Sequence, residues 1–246
     1  MMHNTTRLIV ILACVVLTHL LPTQAAADFR VKPYLLRPEP DTITVVWFTD
    51  DDTPGTLTVE SNGLLHTYTS EPAPAPALTY HPAELEHLPG DAITTAPYKH
   101  TIRVTNLWEE VSTFTVEQGE AVHQSILPAT LRGRNSVRFI VFADCETEPE
   151  STGKHTNWPE PSGDMDRVYP VDQTEGFRQN LHVIQQRKPD FLAFAGDLAE
   201  SGGEQRDWDE FWRHLNGDYG TIAGSTPIVA APGNHDAYGG PGQLGG

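Results

Sequence analysis

The spacing of the apolar residues changes once along the chain, close to Arg134, and this change constrains the fold more than any other feature. Before it, apolar and polar side chains alternate, so that Ile43, Val45 and Trp47 share one face of a strand. After it, short apolar runs alternate with segments of helical periodicity. The sequence therefore predicts an all-β sandwich domain followed by an α/β domain of βαβ units.

Short strands fill the first half, which predicts a β-sandwich over residues 28–130 without a helix of useful length. Asn62-Gly63 is a typical hairpin turn. The prolines at 72, 74 and 76 indicate an irregular surface segment, because proline cannot donate to a strand ladder. The alternation recurs at Thr44, Val46 and Phe48, at Leu57 and Val59, at Ile102 and Val104, and at Phe114 and Val116.

The second half, residues 136–246, has the order strand, helix, strand, helix, strand, which predicts a mainly parallel sheet in an incomplete layered α/β fold. The strands are expected at residues 137–143, 191–195 and 227–231. A long polar segment at 147–172, with His155 and Trp158, is expected to be a functional loop. The helices are expected around Phe177, Leu181 and Ile184, and around Trp208, Phe211, Trp212 and Leu215.

The first 27 residues have the layout of a secretory signal peptide. Arg7 precedes an apolar run from Leu8 to Leu21, and three alanines stand before Asp28. The run is shorter than the roughly 20 apolar residues that span a bilayer. We expect cleavage, a secreted or periplasmic protein, and no stable membrane insertion afterwards.

The charge of the chain excludes one class of partner. With 16 Lys and Arg against 33 Asp and Glu, the net charge is −17, which repels nucleic acid. A small anion can still bind where a local cation, such as a metal ion, outweighs the overall field. Cys145 is the one cysteine outside the predicted signal, so it has no intrachain partner; it is either a small buried apolar residue or a nucleophile.

Polar side chains follow each of the three predicted parallel strands. The carboxyl ends of such strands meet at one edge of a sheet, where ligands bind. Carboxylate and amide oxygens with a histidine suit Mn, Fe, Zn or Mg. The three segments are Asp144-Cys145-Glu146, Gly196-Asp197-Leu198-Ala199-Glu200 and Gly233-Asn234-His235-Asp236.

With these segments the second half resembles the calcineurin-like metallophosphoesterases, whose motifs are D-x-H, G-D-x-x-D and G-N-H-[DE], followed by a lone His and G-H-x-H. The first half resembles the fibronectin-III-like domain that precedes the catalytic domain of purple acid phosphatases. Three segments carry that second resemblance: residues 32–35 (KPYL), 42–47 (TITVVW) and 100–107 (HTIRVTNL).

The resemblance implies hydrolysis of a small phosphate ester by two metal ions (Mn, Fe or Zn) about 3.5–4 Å apart, with a metal-bound hydroxide as nucleophile. It implies that Asp144 is a ligand of the first metal, that Asp197 bridges both, and that Asn234 is a ligand of the second. It also implies that His235 faces the leaving group, with Glu200 orienting the imidazole.

This chain departs from the family pattern in three ways. Glu146 stands where the pattern has histidine, and as a carboxylate it can still be a metal ligand. Glu200 stands where purple acid phosphatases have the tyrosine that colours their iron. The sequence ends ten residues after Asp236, before the later histidine motifs. We therefore expect the natural product to be longer or this chain alone to be inactive; the alternative function is an extracytoplasmic binding module without catalysis.

Overall fold

The computed structural model describes residues 29–90, 92–150, 155–160, 163–168, 170 and 172–239, with the side chains of residues 37, 155–160 and 163–167 left out. The predicted signal peptide and the side chains of His155 and Trp158 lie outside the described residues.

Thirteen strands and two α-helices make up the described part of the chain. The strands are β1 Phe29–Glu39, β2 Thr42–Thr49, β3 Thr56–Ser61, β4 Leu64–Thr69, β5 Ala73–Pro74, β6 Tyr98–Thr105, β7 Ser112–Gln118, β8 Ala121–Leu127, β9 Phe139–Phe142, β10 His155–Glu160, β11 Gly163–Val168, β12 Phe191–Phe194 and β13 Ile228–Ala230. The helices are α1 Gln173–Gln186 and α2 Gln205–Asn216, with 3₁₀ turns at Pro76–Leu78, Pro82–His87, Ile222–Gly224 and His235–Ala237.

A β-sandwich forms the first half, as predicted. Its outer sheet has the order β4-β3-β7-β8, and the opposing strands are β5-β6-β2-β1. Asn62 and Gly63 both adopt positive φ, at 50° and 75°, and close the β3–β4 hairpin. The buried apolar residues of the sandwich meet in one core, which contains Leu35, Ile43, Val45, Trp47, Leu57, Val59, Ile102, Val104, Leu107, Phe114, Val116 and Leu127.

Strand β2 is buried along its whole length, on both faces. Its first face packs into the sandwich core through Ile43, Val45 and Trp47. Its second face contributes Val46 and Phe48 to a different core, which β12, β13 and both helices share. The alternation in the sequence therefore identifies two buried faces rather than one.

The α/β half has three parallel strands in the order β13-β12-β9, with α1 and α2 as the crossovers. Helix α1 begins at the Asp172 cap, whose side chain accepts a hydrogen bond from Glu175 N, and ends before Pro189. Both helices bury the predicted apolar faces, with Leu181, Phe211 and Leu215 in the core.

The two halves share one seven-stranded sheet, in the order β5-β6-β2-β1-β13-β12-β9. Strand β1 pairs antiparallel with β2 and parallel with β13, where Leu36 lies opposite Ile228. Asn216 Nδ2 also donates to Pro33 O at 2.6 Å. The change of pattern close to Arg134 therefore separates two topologies but not two independent sheets.

Two expectations for the α/β half are wrong. The first predicted strand is shorter than 137–143 and is not buried: β9 is the last strand of the described sheet, with Phe139 53% and Val141 56% exposed. The predicted loop at 147–172 contains a β-hairpin, formed by β10 and β11. Pro159 and the charged residues of this segment hide the alternation on which strand prediction depends.

In the part of the chain that the structure describes, neither helix is long and apolar enough to cross a membrane.

Candidate metal centre

The segments that follow β9, β12 and β13 remain in register beyond the strands. Ala195 N donates to Phe142 O at 2.9 Å, and Cys145 N donates to Asp197 O at 2.8 Å. Thr147 forms a further parallel bridge with Ala199. The sheet edge therefore presents the segment after β9 directly beside the segment after β12.

Asp236 joins the segment after β13 to the segment after β12. Its carboxylate accepts hydrogen bonds from Asp197 N at 3.0 Å, Leu198 N at 2.9 Å and Gly233 N at 2.8 Å. In return, Asp197 Oδ1 accepts a hydrogen bond from His235 N at 2.9 Å. The carboxylates of Asp197 and Asp236 therefore hold the two turns together, because each accepts a hydrogen bond from the backbone of the other turn.

Glycine is required at two positions of these turns. A Cβ at Gly233 would lie 2.1 Å from Asp197 Oδ1, and one at Gly196 would lie 2.7 Å from the Gly233 Cα. Gly196 also has φ +108°, which side-chain-bearing residues rarely adopt. The close approach of the two turns therefore depends on both glycines.

Glu146, Asp197 and His235 form a group in which one ligand atom from each residue lies within 4.8 Å of the others. All three side chains are partly buried. Asp144, Glu146 and Asp197 have positive φ values of 55°, 40° and 54°. Such backbone strain is concentrated at functional sites, because the surrounding structure must hold it in place.

The His235 ring has a defined orientation. Its Nδ1 lies 2.8 Å from the Glu200 carbonyl oxygen, which can only accept, so Nδ1 carries the proton. Its Nε2 is then directed towards the acidic group, 3.9 Å from Glu146 Oε1. Glu200 Oε2 lies 3.6 Å from Nδ1, on the side that orients the ring.

The charges at this edge repel one another. Burial and the charge of Glu200 raise the pKa of Glu146, as do the charges of Asp144 and Asp197, and His235 opposes them. Burial lowers the pKa of His235, but its hydrogen bond to Glu200 O and the charges of Glu200, Glu146 and Asp197 raise it overall. A carboxylate-rich group of this kind fits a hard or intermediate metal ion, which neutralises the repulsion.

The other two predicted ligands, Asp144 and Asn234, lie on the same turns as Glu146 and His235. Asp144 is exposed, and its charge acts on Glu146. Asn234 is also exposed, and its Nδ2 donates to Tyr238 Oη at 3.2 Å. The group thus contains Glu146, the residue that departs from the family pattern, together with Asp197.

Cys145 packs against the core of the α/β half. Burial and the neighbouring charges of Asp236, Asp144 and Glu146 raise the pKa of its thiol to about 12. The thiolate is therefore absent at neutral pH, and Cys145 acts as a small apolar residue.

Comparison with known families gives one match, over residues 137–245, to the calcineurin-like phosphoesterase family model. The match starts just before β9 and contains all three polar turns. Residues 137–245 are therefore similar to the calcineurin-like phosphoesterases.

The solved structures similar to this chain include a purple acid phosphatase from yellow lupin (Lupinus luteus) seeds, with a TM-score of 0.56 and 21% identity. The likeness covers 84% of this chain and 35% of that one, so the chain spans about a third of the length of the lupin protein. It supports the architecture of a β-sandwich followed by a phosphoesterase domain. The fibronectin-III-like character of the sandwich remains a prediction.

A carbohydrate acetylesterase from Xanthomonas citri is a much weaker match, with a TM-score of 0.20, 9% identity, and coverage of 84% of this chain and 52% of that one. No curated protein sequence matches this chain.

The phosphoesterase domain also buries acidic side chains behind the turn that carries Glu200. Burial, and after it the charge of Glu84, raises the pKa of Glu204 to about 8. Burial and the charge of Glu204 raise the pKa of Asp207 well above its ordinary value. Glu204 Oε1 and Asp207 Oδ1 are buried without a hydrogen-bond partner among the described residues.

Two contributors to the site escaped the sequence analysis. Asp236 was noted only as the last residue of a motif, although its carboxylate holds the turns together. The Tyr238 ring packs against His235 at a tilt of 40°, with ring centroids 4.6 Å apart. The acidic position at the end of the G-N-H-[DE] motif was a signal for Asp236. Nothing in the sequence indicated Tyr238.

Proposed function

We propose that this protein is a metal-dependent hydrolase of small phosphate esters, with two metal ions at the edge where β9, β12 and β13 end. The observation that supports this best is the convergence of Glu146, Asp197 and His235 within 4.8 Å. The family of residues 137–245 supports the same class of reaction.

In this proposal Asp144 and Glu146 would hold the first metal, Asp197 would be shared by both metals, and the amide oxygen of Asn234 would hold the second. Mn, Fe and Zn all suit such a mixed set of ligands. The chemistry that such a metal pair supplies is polarisation of the phosphoryl oxygens and a water of lowered pKa for in-line attack.

His235 is the proposed proton donor. Its Nδ1–H is committed to Glu200 O at 2.8 Å, so the proton for the leaving group comes from Nε2. The bond from phosphorus to the ester oxygen breaks, and a bond from phosphorus to a water oxygen forms while that water releases a proton to the solvent. The leaving oxygen takes the His235 proton, and the imidazole is protonated again from the solvent. Glu200 keeps the ring aligned from behind.

We propose further that the protein is secreted or periplasmic, as the predicted signal peptide implies. The excess of acidic residues favours small substrates over nucleic acid, because a metal centre offers a small anion a local field that outweighs the overall negative charge.

The test uses the protein expressed from its complete gene. We expect metal-stimulated hydrolysis of an aryl phosphate, which Asp197→Asn and Asn234→Ala each reduce at least about hundredfold, with a lower metal content measured by mass spectrometry. The matched control is Asp218→Asn, which changes an acid with a 67% exposed side chain in the same half. Full activity of Asp197→Asn would show that the site is wrongly assigned; a protein that holds no metal would favour the binding-module alternative.

A further inference from the structure

A groove of about 530 Å³ runs from the acidic edge along α1. Asp144, Cys145 and Glu146 form the end beside the proposed metal centre. The rest of the groove lies between the end of β9 and one face of α1, and it is lined by Phe142, Ala143, Gln173, Gly176, Phe177, Asn180, Val183 and Ile184.

The lining of the groove suits an uncharged organic group. Phe142, Phe177, Val183 and Ile184 supply apolar walls, with the rings of Phe142 and Phe177 6.4 Å apart. None of the lining residues is a lysine, arginine or histidine that could hold a phosphate, and the two carboxylates at the site end repel one. A phosphate can therefore lie only at the metal end, with the apolar part of the same molecule along the walls.

Gly176 gives a second, independent indication that the groove takes a ligand. It occupies the fourth position of α1, where glycine costs a helix about 0.5–1 kcal/mol relative to alanine. A Cβ built there meets no atom within 4 Å, and its φ lies outside the left-handed region. Neither packing nor backbone conformation in the described chain therefore requires glycine at this position. The missing side chain leaves the groove open here.

We propose that this groove binds the organic group of the phosphate ester, that the preferred group is flat and apolar such as an aromatic ring system, and that Gly176 keeps the space for it. The proposal rests on the proposed function, since the position of the phosphate is set by the metal centre. Pockets of this volume commonly bury most of a small ligand, so the groove contributes to KM and to the choice of substrate.

The test fills the groove with an indole. Gly176→Trp and wild type are compared on 1-naphthyl phosphate and on methyl phosphate, with the metal-loaded protein from the complete gene. Intrinsic leaving-group reactivity cancels when each substrate is compared between variants. We expect kcat/KM for naphthyl phosphate to fall tenfold or more, mainly through KM, and kcat/KM for methyl phosphate to change less than twofold.

The matched control is Gln179→Trp, which adds the same indole to the same helix at an exposed residue that does not line the groove. It should leave the ratio of the two kcat/KM values at its wild-type value. A separate measurement, the melting temperature of Gly176→Ala, should rise because alanine favours the helix.

Three results would overturn the proposal. If Gly176→Trp affects both substrates equally, or affects neither, in an otherwise active enzyme, the groove proposal is refuted and the proposed function stands. A lower melting temperature of Gly176→Ala would mean that the fold itself needs the glycine. If wild type with metal hydrolyses neither substrate, the proposed function fails and the groove proposal fails with it.

Discussion

The sandwich and the phosphoesterase domain bury ionisable groups in opposite ways. In the sandwich, fully buried His100 stacks on Trp47 at 4.8 Å, and both ring nitrogens have hydroxyl partners at 2.8 Å, from Thr49 and Ser70. In the phosphoesterase domain, Glu204 and Asp207 are buried beside other acids, and each has an oxygen without a hydrogen-bond partner in the described part of the chain.

His100 is therefore a buried polar group that stabilises the fold, whereas Glu204 and Asp207 are buried groups that lower its stability when they are charged. A buried group that is neutral and hydrogen-bonded stabilises the fold, whereas a buried carboxylate without a partner costs free energy unless it is protonated. Such costs are concentrated near functional sites. The acids beside the Glu200 turn fit that pattern, and the sandwich serves as the contrasting support.

The largest effect is expected from Asp236→Ala, which should damage the phosphoesterase half alone. The change leaves the amides of Asp197, Leu198 and Gly233 without their acceptor. Stability should fall by at least about 2 kcal/mol, and activity about hundredfold, because the two turns separate. Urea denaturation and kcat/KM measure both; Asp236→Asn keeps one acceptor oxygen and should recover part of each loss.

His100→Leu should be the corresponding change in the sandwich. The loss of two hydrogen bonds should cost about 2 kcal/mol at pH 7.5, while the metal content at the site stays unchanged. Burial lowers the pKa of His100 to about 4, so its contribution is present above pH 6.5 and is lost as the pH falls through about 4. In denaturation curves at several pH values, the free energy of unfolding of His100→Leu should fall less steeply towards acid pH than that of the wild type. An equally steep fall would contradict this role of His100.

Glu204→Gln is expected to give an effect of opposite sign, a gain in stability above neutral pH. The raised pKa of Glu204 means that the folded protein keeps a proton that the unfolded chain releases between about pH 4.5 and 8. Its contribution is therefore full below pH 4.5 and is lost as the pH rises through about 8, by at most about 1.4 kcal/mol per pH unit. The glutamine variant should flatten this slope in melting temperatures from pH 5.5 to 8.5, and Glu110→Gln, at an exposed acid, should not.

Much of the architecture follows from local patterns. Alternation located β2, and the spacing of Phe177, Leu181 and Ile184 located α1, because burial of one face imposes a period that the sequence must keep. The three polar turns were predictable for a similar reason: strand ends of a parallel sheet meet at one edge.

What the sequence could not predict depends on contacts between distant segments. Whether β9 is covered or exposed depends on its position in the sheet, which its own composition does not reveal. The buried acids on α2 resemble an ordinary polar helix face until Glu84, from the 3₁₀ turn Pro82–His87, accepts a hydrogen bond from Arg206 N at 2.8 Å. The acceptor role of Asp236 likewise exists only once two turns have met.

The pairing of β1 with β13 has a consequence for biosynthesis. Leu36 lies opposite Ile228, so an early strand of the nascent chain waits for one made almost 200 residues later. Until then the free edge of β1 is a template for pairing with neighbouring chains on the polysome. Slow translation or crowding of ribosomes should therefore promote aggregation through this edge, and a chaperone that shields extended segments should protect the yield.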